Sequence, residues 1–257
     1  IGFGGIVVRD VTAGEADACV GRAIDRGINY FDVAPSYGNA EAMLGPALEP
    51  YRDQVFLACK TGERRAAGAE TELHASLRTL RTDHFDLYQM HGVTKDEDVD
   101  QILGPGGALE AFVQARDEGL VRNIGFSAHS EAAARRLLEA FPFAGVLFPI
   151  NRFCWHDGNF GPGLIGQAQK QGAGILALKS LAHRPWRDDE ERVWGKCWYK
   201  PVTTLPEAIA ALQFTLSQPV TAAVAPGHAE LLWLACDAVD RLDKVVETGT
   251  GEPIFTT

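Results

Sequence analysis

Eight times along this chain of 257 residues a short apolar run gives way to a stretch patterned for a helix. That alternation marks repeated βα units, whose strands lie parallel in one sheet. The runs fall at residues 2–8, 28–32, 54–60, 85–91, 122–127, 145–150, 174–179 and 220–225. Helical patterns are expected over residues 15–26, 40–48, 70–80, 131–140, 164–171, 206–217 and 229–245. A further pair lies in 96–118, split by Gly104-Pro105-Gly106-Gly107 because such a run breaks the helical ladder. Eight such units in this length predict a single (β/α)8 barrel over residues 1–257, with its chemistry on the loops that follow the strands. Residues 182–204 form the longest irregular segment, and a loop of that length in a compact domain is usually functional or a misread element.

Three consecutive runs end on ionisable groups. The second stops at Asp32 with Tyr37 five residues on, the third closes on Lys60 and the fourth on His91. Each alone has an ordinary explanation: a turn cap, a packing ring, a paired ammonium, a core histidine. Parallel neighbours would bring all four to one end of one sheet. There Lys60 would tune the Tyr37 hydroxyl, Asp32 would hold Lys60 in place, and His91 would hydrogen-bond a polarised oxygen. Such a group is a general acid facing a carbonyl, with no nucleophile and no metal ligands beside it.

A formal net charge of −10 argues against a sequence-independent grip on nucleic acid or on anionic lipid. No run of about 18 or more apolar residues is present to span a bilayer. No signal peptide is visible, and a chain opening at Ile1 inside an apolar run is read as lacking residues upstream. Five widely spaced cysteines without a C-x-x-C pair read as reduced thiols of a cytoplasmic protein. Cys59 beside Lys60 is a candidate low-pKa thiol, although strand alternation turns the two to opposite faces.

In the order and flanking motifs of these four residues, Phe31-Asp-Val-Ala-Pro-Ser-Tyr-Gly38 and Asp86-Leu-Tyr-Gln-Met-His91, the chain resembles the aldo-keto reductase superfamily, nearly end to end. The resemblance implies reversible reduction of an aldehyde or ketone, or oxidation of a sugar or alcohol, by NADP or NAD. Tyr37 would be the proton donor and His91 would orient the carbonyl, with Lys60 and Asp32 completing the tetrad. It also implies a cofactor set of Ser127 for the nicotinamide carboxamide, Asn151, Leu178 against the ring, Lys179 and Ser180 near a pyrophosphate, and Gly227 and His228 at the last helix. The chain departs from the family pattern at Ala128, Leu147 and Leu178, and it lacks the Lys and Arg that hold an NADP 2′-phosphate, so the choice of cofactor stays open. Two alternatives also stay open: a carbonyl lyase or isomerase using the same tetrad, and a non-catalytic barrel binding a metabolite or partner. Trp155, Phe160 and Trp186 read either as a substrate pocket or as a loop core. Substrate and oligomeric state are not legible.

Overall fold

The computed structural model describes residues 1–158 and 160–248. Its strands are β1 (Phe3–Gly4), β2 (Tyr30–Asp32), β3 (Phe56–Thr61), β4 (Phe85–Val93), β5 (Val121–Ala128), β6 (Gly145–Pro149), β7 (Gly174–Leu178), β8 (Ala182–Pro185), β9 (Tyr199–Pro201) and β10 (Ala222–Ala223). Eight of them form one parallel sheet in the order β1-β2-β3-β4-β5-β6-β7-β10. A parallel bridge between Gly2 and Val224 joins its two edges, with Gly2 N–H donating to Ala223 O at 2.8 Å and Ala225 N–H to Gly2 O at 3.0 Å. The sheet is therefore curled into the expected (β/α)8 barrel. Closure also removes the exposed edges that an open sheet would have to protect.

Helices α1 (Ala13–Asp25), α2 (Ala40–Leu48), α3 (Ala66–Thr79), α4 (Asp96–Leu103), α5 (Ala108–Asp117), α6 (Glu131–Ala140), α7 (Arg152–His156), α8 (Pro162–Lys170), α9 (Leu205–Leu216) and α10 (Ala229–Thr248) fill the connections. Thr12 with Glu15 and Thr204 with Glu207 make reciprocal capping boxes that start α1 and α9. A small cluster inside the barrel joins Tyr30, Ala58, Leu87, Leu147, Leu176 and Val224. The larger core lies between strands and helices, where Phe3 stacks on Phe31 at 4.9 Å. No helix among the described residues is long and apolar enough to cross a membrane.

Four expectations need correction. The first run is a strand over two residues only; it then tightens into a 3₁₀ turn over Gly5–Val8, because its partner β2 ends at Asp32 and leaves no ladder to follow. The eighth run shortens to Ala222–Ala223. The segment after β7 is not wholly irregular: β8 and β9 pair antiparallel, two strands too short to announce themselves by alternation. Residues 152–156, which none of the expected helical patterns covers, form α7, started by Asn151, whose Oδ1 accepts the Cys154 N–H at 2.9 Å.

Candidate active site

Parallel strands all end on the same face, and the carboxyl ends of β2, β3 and β4 bring Asp32, Tyr37, Lys60 and His91 together. Lys60 is fully buried, its Nζ ion-paired to Asp32 Oδ2 and donating to Val33 O at 3.2 Å and to the Tyr37 hydroxyl at 3.3 Å. Burial disfavours the Lys60 ammonium, but the carboxylate of Asp32 outweighs it and the pKa lies above the ordinary lysine value. Burial likewise pushes the Tyr37 phenol up, with Lys60 pulling the other way. The His91 ring meets Tyr37 edge-on with centroids 5.6 Å apart, and its Nδ1 lies 3.2 Å from Ser36 Oγ. Burial, with Lys60, Arg64 and His129 nearby, pushes His91 down to about 3, so it is neutral near pH 7.

Three partners escaped the sequence reading. Gln89 Nε2 donates to Asp32 Oδ1 at 2.9 Å, and the Tyr30 hydroxyl donates to the same oxygen at 3.4 Å. Asp32 is thus fixed from three sides and its charge is aimed at Lys60. Gln89 stands two residues before His91 on the same strand face, a spacing that would have flagged it. Ser36, the third, directly precedes Tyr37.

Cys59 points the other way. Its Sγ donates to Glu41 Oε1 at 3.3 Å, and burial holds the thiol well above its usual pKa, so it keeps its proton.

The tetrad opens into a cavity of about 500 Å³ lined also by Ser127, Leu147, Leu178, Lys179 and Gly227. Ser127 Oγ accepts the Gly92 N–H at 2.7 Å, at the point where β4 slips register and Gly92 turns at φ +61°. The expected cofactor residues do not all converge on this space. Asn151 and Ser180 line a second cleft across β7, with His183 and Glu207. His228 anchors a loop instead: its Nε2 accepts the Lys196 N–H at 3.1 Å.

That loop, residues 186–198, reaches across the mouth. Lys196 Nζ donates to Val7 O at 3.1 Å and to Arg9 O, and Gly227 is so close that a Cβ there would sit 2.7 Å from Lys196 O. Gly227, placed by the resemblance among the cofactor residues, is thereby buried beneath the chain's own loop. Trp155, Phe160 and Trp186 do not line the cavity. Trp155 packs on Phe214, Phe160 on Phe148, and the Trp186 Nε1–H donates to Cys197 O at 2.9 Å. The aromatic that does stand at the mouth is Trp198, 65% exposed. Arg184, in the same segment, is held by both carboxylate oxygens of Glu190.

A model of the family described as "Aldo/keto reductase family" matches residues 1–192. Among individual proteins, the chain is 26% identical over 239 residues to an uncharacterized oxidoreductase, YqkF, of Bacillus subtilis, covering 81% of this chain and 76% of that one. It is 32% identical over 145 residues to the aldo-keto reductase YhdN of the same organism, covering 51% of this chain and 42% of the relative. To an L-galactose dehydrogenase of Arabidopsis thaliana it is 28% identical over 199 residues, covering 71% of this chain and 61% of the relative. The match thus spans less than two thirds of the last two relatives' lengths. Among solved structures, the holo form of an aldo-keto reductase from Bacillus halodurans superposes with a TM-score of 0.71 at 23% identity, covering 93% of this chain and 86% of that one, a likeness of fold.

Proposed function

Because the chain belongs to the aldo/keto reductase family, we propose that it reduces an aldehyde, ketone or sugar carbonyl with NADPH or NADH, and that Tyr37 gives the proton. The observation that carries this reading is the Tyr37 hydroxyl, 3.3 Å from a buried, fully charged Lys60, at the wall of a cavity. The donor set suits a nicotinamide cofactor in sign and shape. Leu147 and Leu178 give an apolar seat for a flat ring, and Ser127 is beside them. Among the described residues the lining carries one carboxylate, Asp32, whose charge is already matched by Lys60. Leu147, Leu178 and Ser127 would hold the ring. Bound there, the cofactor supplies a hydride.

The chain's own residues then deal with the oxygen. A neutral histidine carries one N–H; we assign the Ser36 hydroxyl as donor to Nδ1, 3.2 Å away, which puts that proton on Nε2, free to donate to the carbonyl oxygen. Tyr37 transfers its proton to the same oxygen as the C=O π bond opens and the C–H and O–H bonds form. Lys60 stabilises the phenolate that remains. Asp32, with Gln89 and Tyr30 behind it, keeps the ammonium in place. Five free cysteines accord with a reducing, cytoplasmic setting.

The test is a titration with NADPH and with NADH followed by tryptophan fluorescence, paired with aldehyde-dependent oxidation of whichever binds. Saturable binding and turnover are expected. Binding of neither at about 1 mM, the upper end of ordinary KM values, would overturn the reading. Ser36→Ala is expected to lower kcat about 3- to 10-fold, the contribution of one neutral hydrogen bond, with cofactor affinity unchanged and Ser36→Thr restoring it. An unchanged kcat in Ser36→Ala would remove Ser36 from the tautomer argument.

A further inference from the structure

Both ladders that flank β4 break off at Met90, one residue before His91. The last register pair between β3 and β4 is Thr61 with Met90. On the other side β4 slips against β5 between Met90 and Val93. The peptide unit that joins His91 to Gly92 therefore falls in the gap, and Gly92 turns there at φ +61°. An irregularity of this kind re-aims the neighbouring side chain, and the backbone groups it frees need other partners.

Two side chains supply them. The His91 C=O accepts from Arg64 Nη2 at 2.8 Å, and the Gly92 N–H donates to Ser127 Oγ at 2.7 Å. These are the two polar groups of one planar unit, so the plane is pinned at both edges, from the loop after β3 and from β5. The plane begins at the His91 Cα. Its orientation sets ψ of His91, and with it the direction in which the imidazole leaves the backbone.

Arg64 is itself fixed. Its own C=O accepts the Ala108 N–H at 3.0 Å, its Nε lies 3.4 Å from Asp98 Oδ1, and its side chain is 15% exposed. It does not line the Tyr37 cavity. For stability alone it is poorly placed, because Nη1 is buried without a hydrogen-bond partner among the described residues. The guanidinium also acts on the ring. The charged and titratable groups facing His91 are Lys60 on β3, Arg64 on the loop after it, His129 after β5 and Tyr37 after β2. Burial first, and then Lys60, Arg64 and His129, all disfavour the imidazolium.

We propose that Arg64 is a positioning residue: by holding the His91–Gly92 peptide where the sheet no longer does, it aims the imidazole at the carbonyl oxygen of the substrate without touching substrate or cofactor. This rests on the reductase reading above and deepens it. The rival is a purely structural clip that ties the loop after β3 to α4 through Asp98.

The experiment compares the wild type, Arg64→Met and Arg64→Lys in aldehyde reduction, in NADPH or NADH binding and in the nitrogen NMR signals of the histidine rings. Methionine keeps an apolar stem and removes the donor, whereas lysine can still donate to the one carbonyl. In Arg64→Met kcat is expected to fall about 10- to 100-fold, what a displacement of up to about 1 Å costs a reacting geometry, with cofactor affinity unchanged. Arg64→Lys is expected to recover much of it. The His91 ring, identified by the loss of its signals in His91→Gln, is expected to show the Nε2–H tautomer in the wild type and a mixture of tautomers in Arg64→Met, as its Nδ1 contact with Ser36 loosens. An unchanged tautomer in Arg64→Met overturns the proposal whatever happens to kcat. So does a joint loss of kcat, cofactor affinity and melting temperature that Arg64→Lys does not restore, which leaves Arg64 as the structural clip. If the wild type turns over no aldehyde, the reductase reading fails and the NMR comparison decides alone: mixing of tautomers in Arg64→Met upholds the positioning, and an unchanged ring ends it.

Discussion

Tyr37→Phe is expected to lower kcat for carbonyl reduction by about 10²- to 10⁴-fold, the usual contribution of a positioned general acid, while leaving the fold and cofactor affinity nearly unchanged. The asymmetry follows from what the hydroxyl touches. Among the described residues its one hydrogen bond is to Lys60 Nζ, which keeps Asp32 and Val33 O when the hydroxyl goes, so no buried charge is stranded. The ring still meets the edge of His91 and still lies 5.0 Å from the ammonium, contacts that phenylalanine retains. The pH profile carries a second signature. Burial raises the Tyr37 phenol, so reduction should not lose its acid until the pH passes the ordinary tyrosine value near 10. His91, pushed down to about 3, should add no step between about pH 5 and 8. A Phe variant that keeps kcat within a few-fold, or that loses cofactor affinity as severely as turnover, would remove Tyr37 as the dedicated proton donor.

Lys60→Met should be the most damaging single change to stability, costing about 3–5 kcal/mol, as expected for breaking a buried ion pair from one side. At about 2–4 °C per kcal/mol for a chain of this size, Tm should fall on the order of 10 °C. The cause is the partner left behind: Asp32, 2% exposed, would keep bonds from Gln89 and Tyr30 but lose its counter-charge. Asp32→Asn combined with Lys60→Met removes that stranded charge and should recover a good part of the loss. The pH dependence has a definite sign. Lys60 has a folded pKa above its unfolded value near 10.4, so its contribution is complete below that pH and fades only as pH rises through the folded value. The Tm gap between wild type and variant should therefore be flat from about pH 6 to 9 and narrow in stronger alkali. A gap below about 1 kcal/mol, or a double variant no better than the single, would show that the pair is not held as the structure depicts.

Much of this arrangement is legible in the amino-acid sequence, for a specific reason. In a parallel barrel every strand points the same way, so a residue that closes a strand is committed to one face. Asp32, Lys60 and His91 therefore converge because of chain direction together with strand alternation, and Tyr37 follows from its distance to Asp32. The helix breaks at residues 104–107 and at Gly27 are legible because glycine and proline act locally. The segments that deceive, β1, β10 and the β8–β9 pair, are strands of two to four residues, too short for a period to show.

The cofactor-side residues show where local information ends. Lys179 and Ser180 are adjacent, yet a single left-handed turn sends them to different cavities. Gly227 and His228 open the last helix, and Gly227 is buried beneath a loop whose Lys196 crosses the barrel mouth to carbonyls 189 and 187 residues away in sequence. Leu147 stands where the family pattern has an amide anchor and instead packs the barrel interior. Strand order and the tetrad are thus written in periodicity and in the residues that end each run, because backbone hydrogen bonding and strand direction act on every residue alike. Which side chains share a cavity, and which loop closes it, is settled only by contacts between distant segments, where one backbone angle or one long-range hydrogen bond decides the outcome and leaves no repeating pattern in the chain.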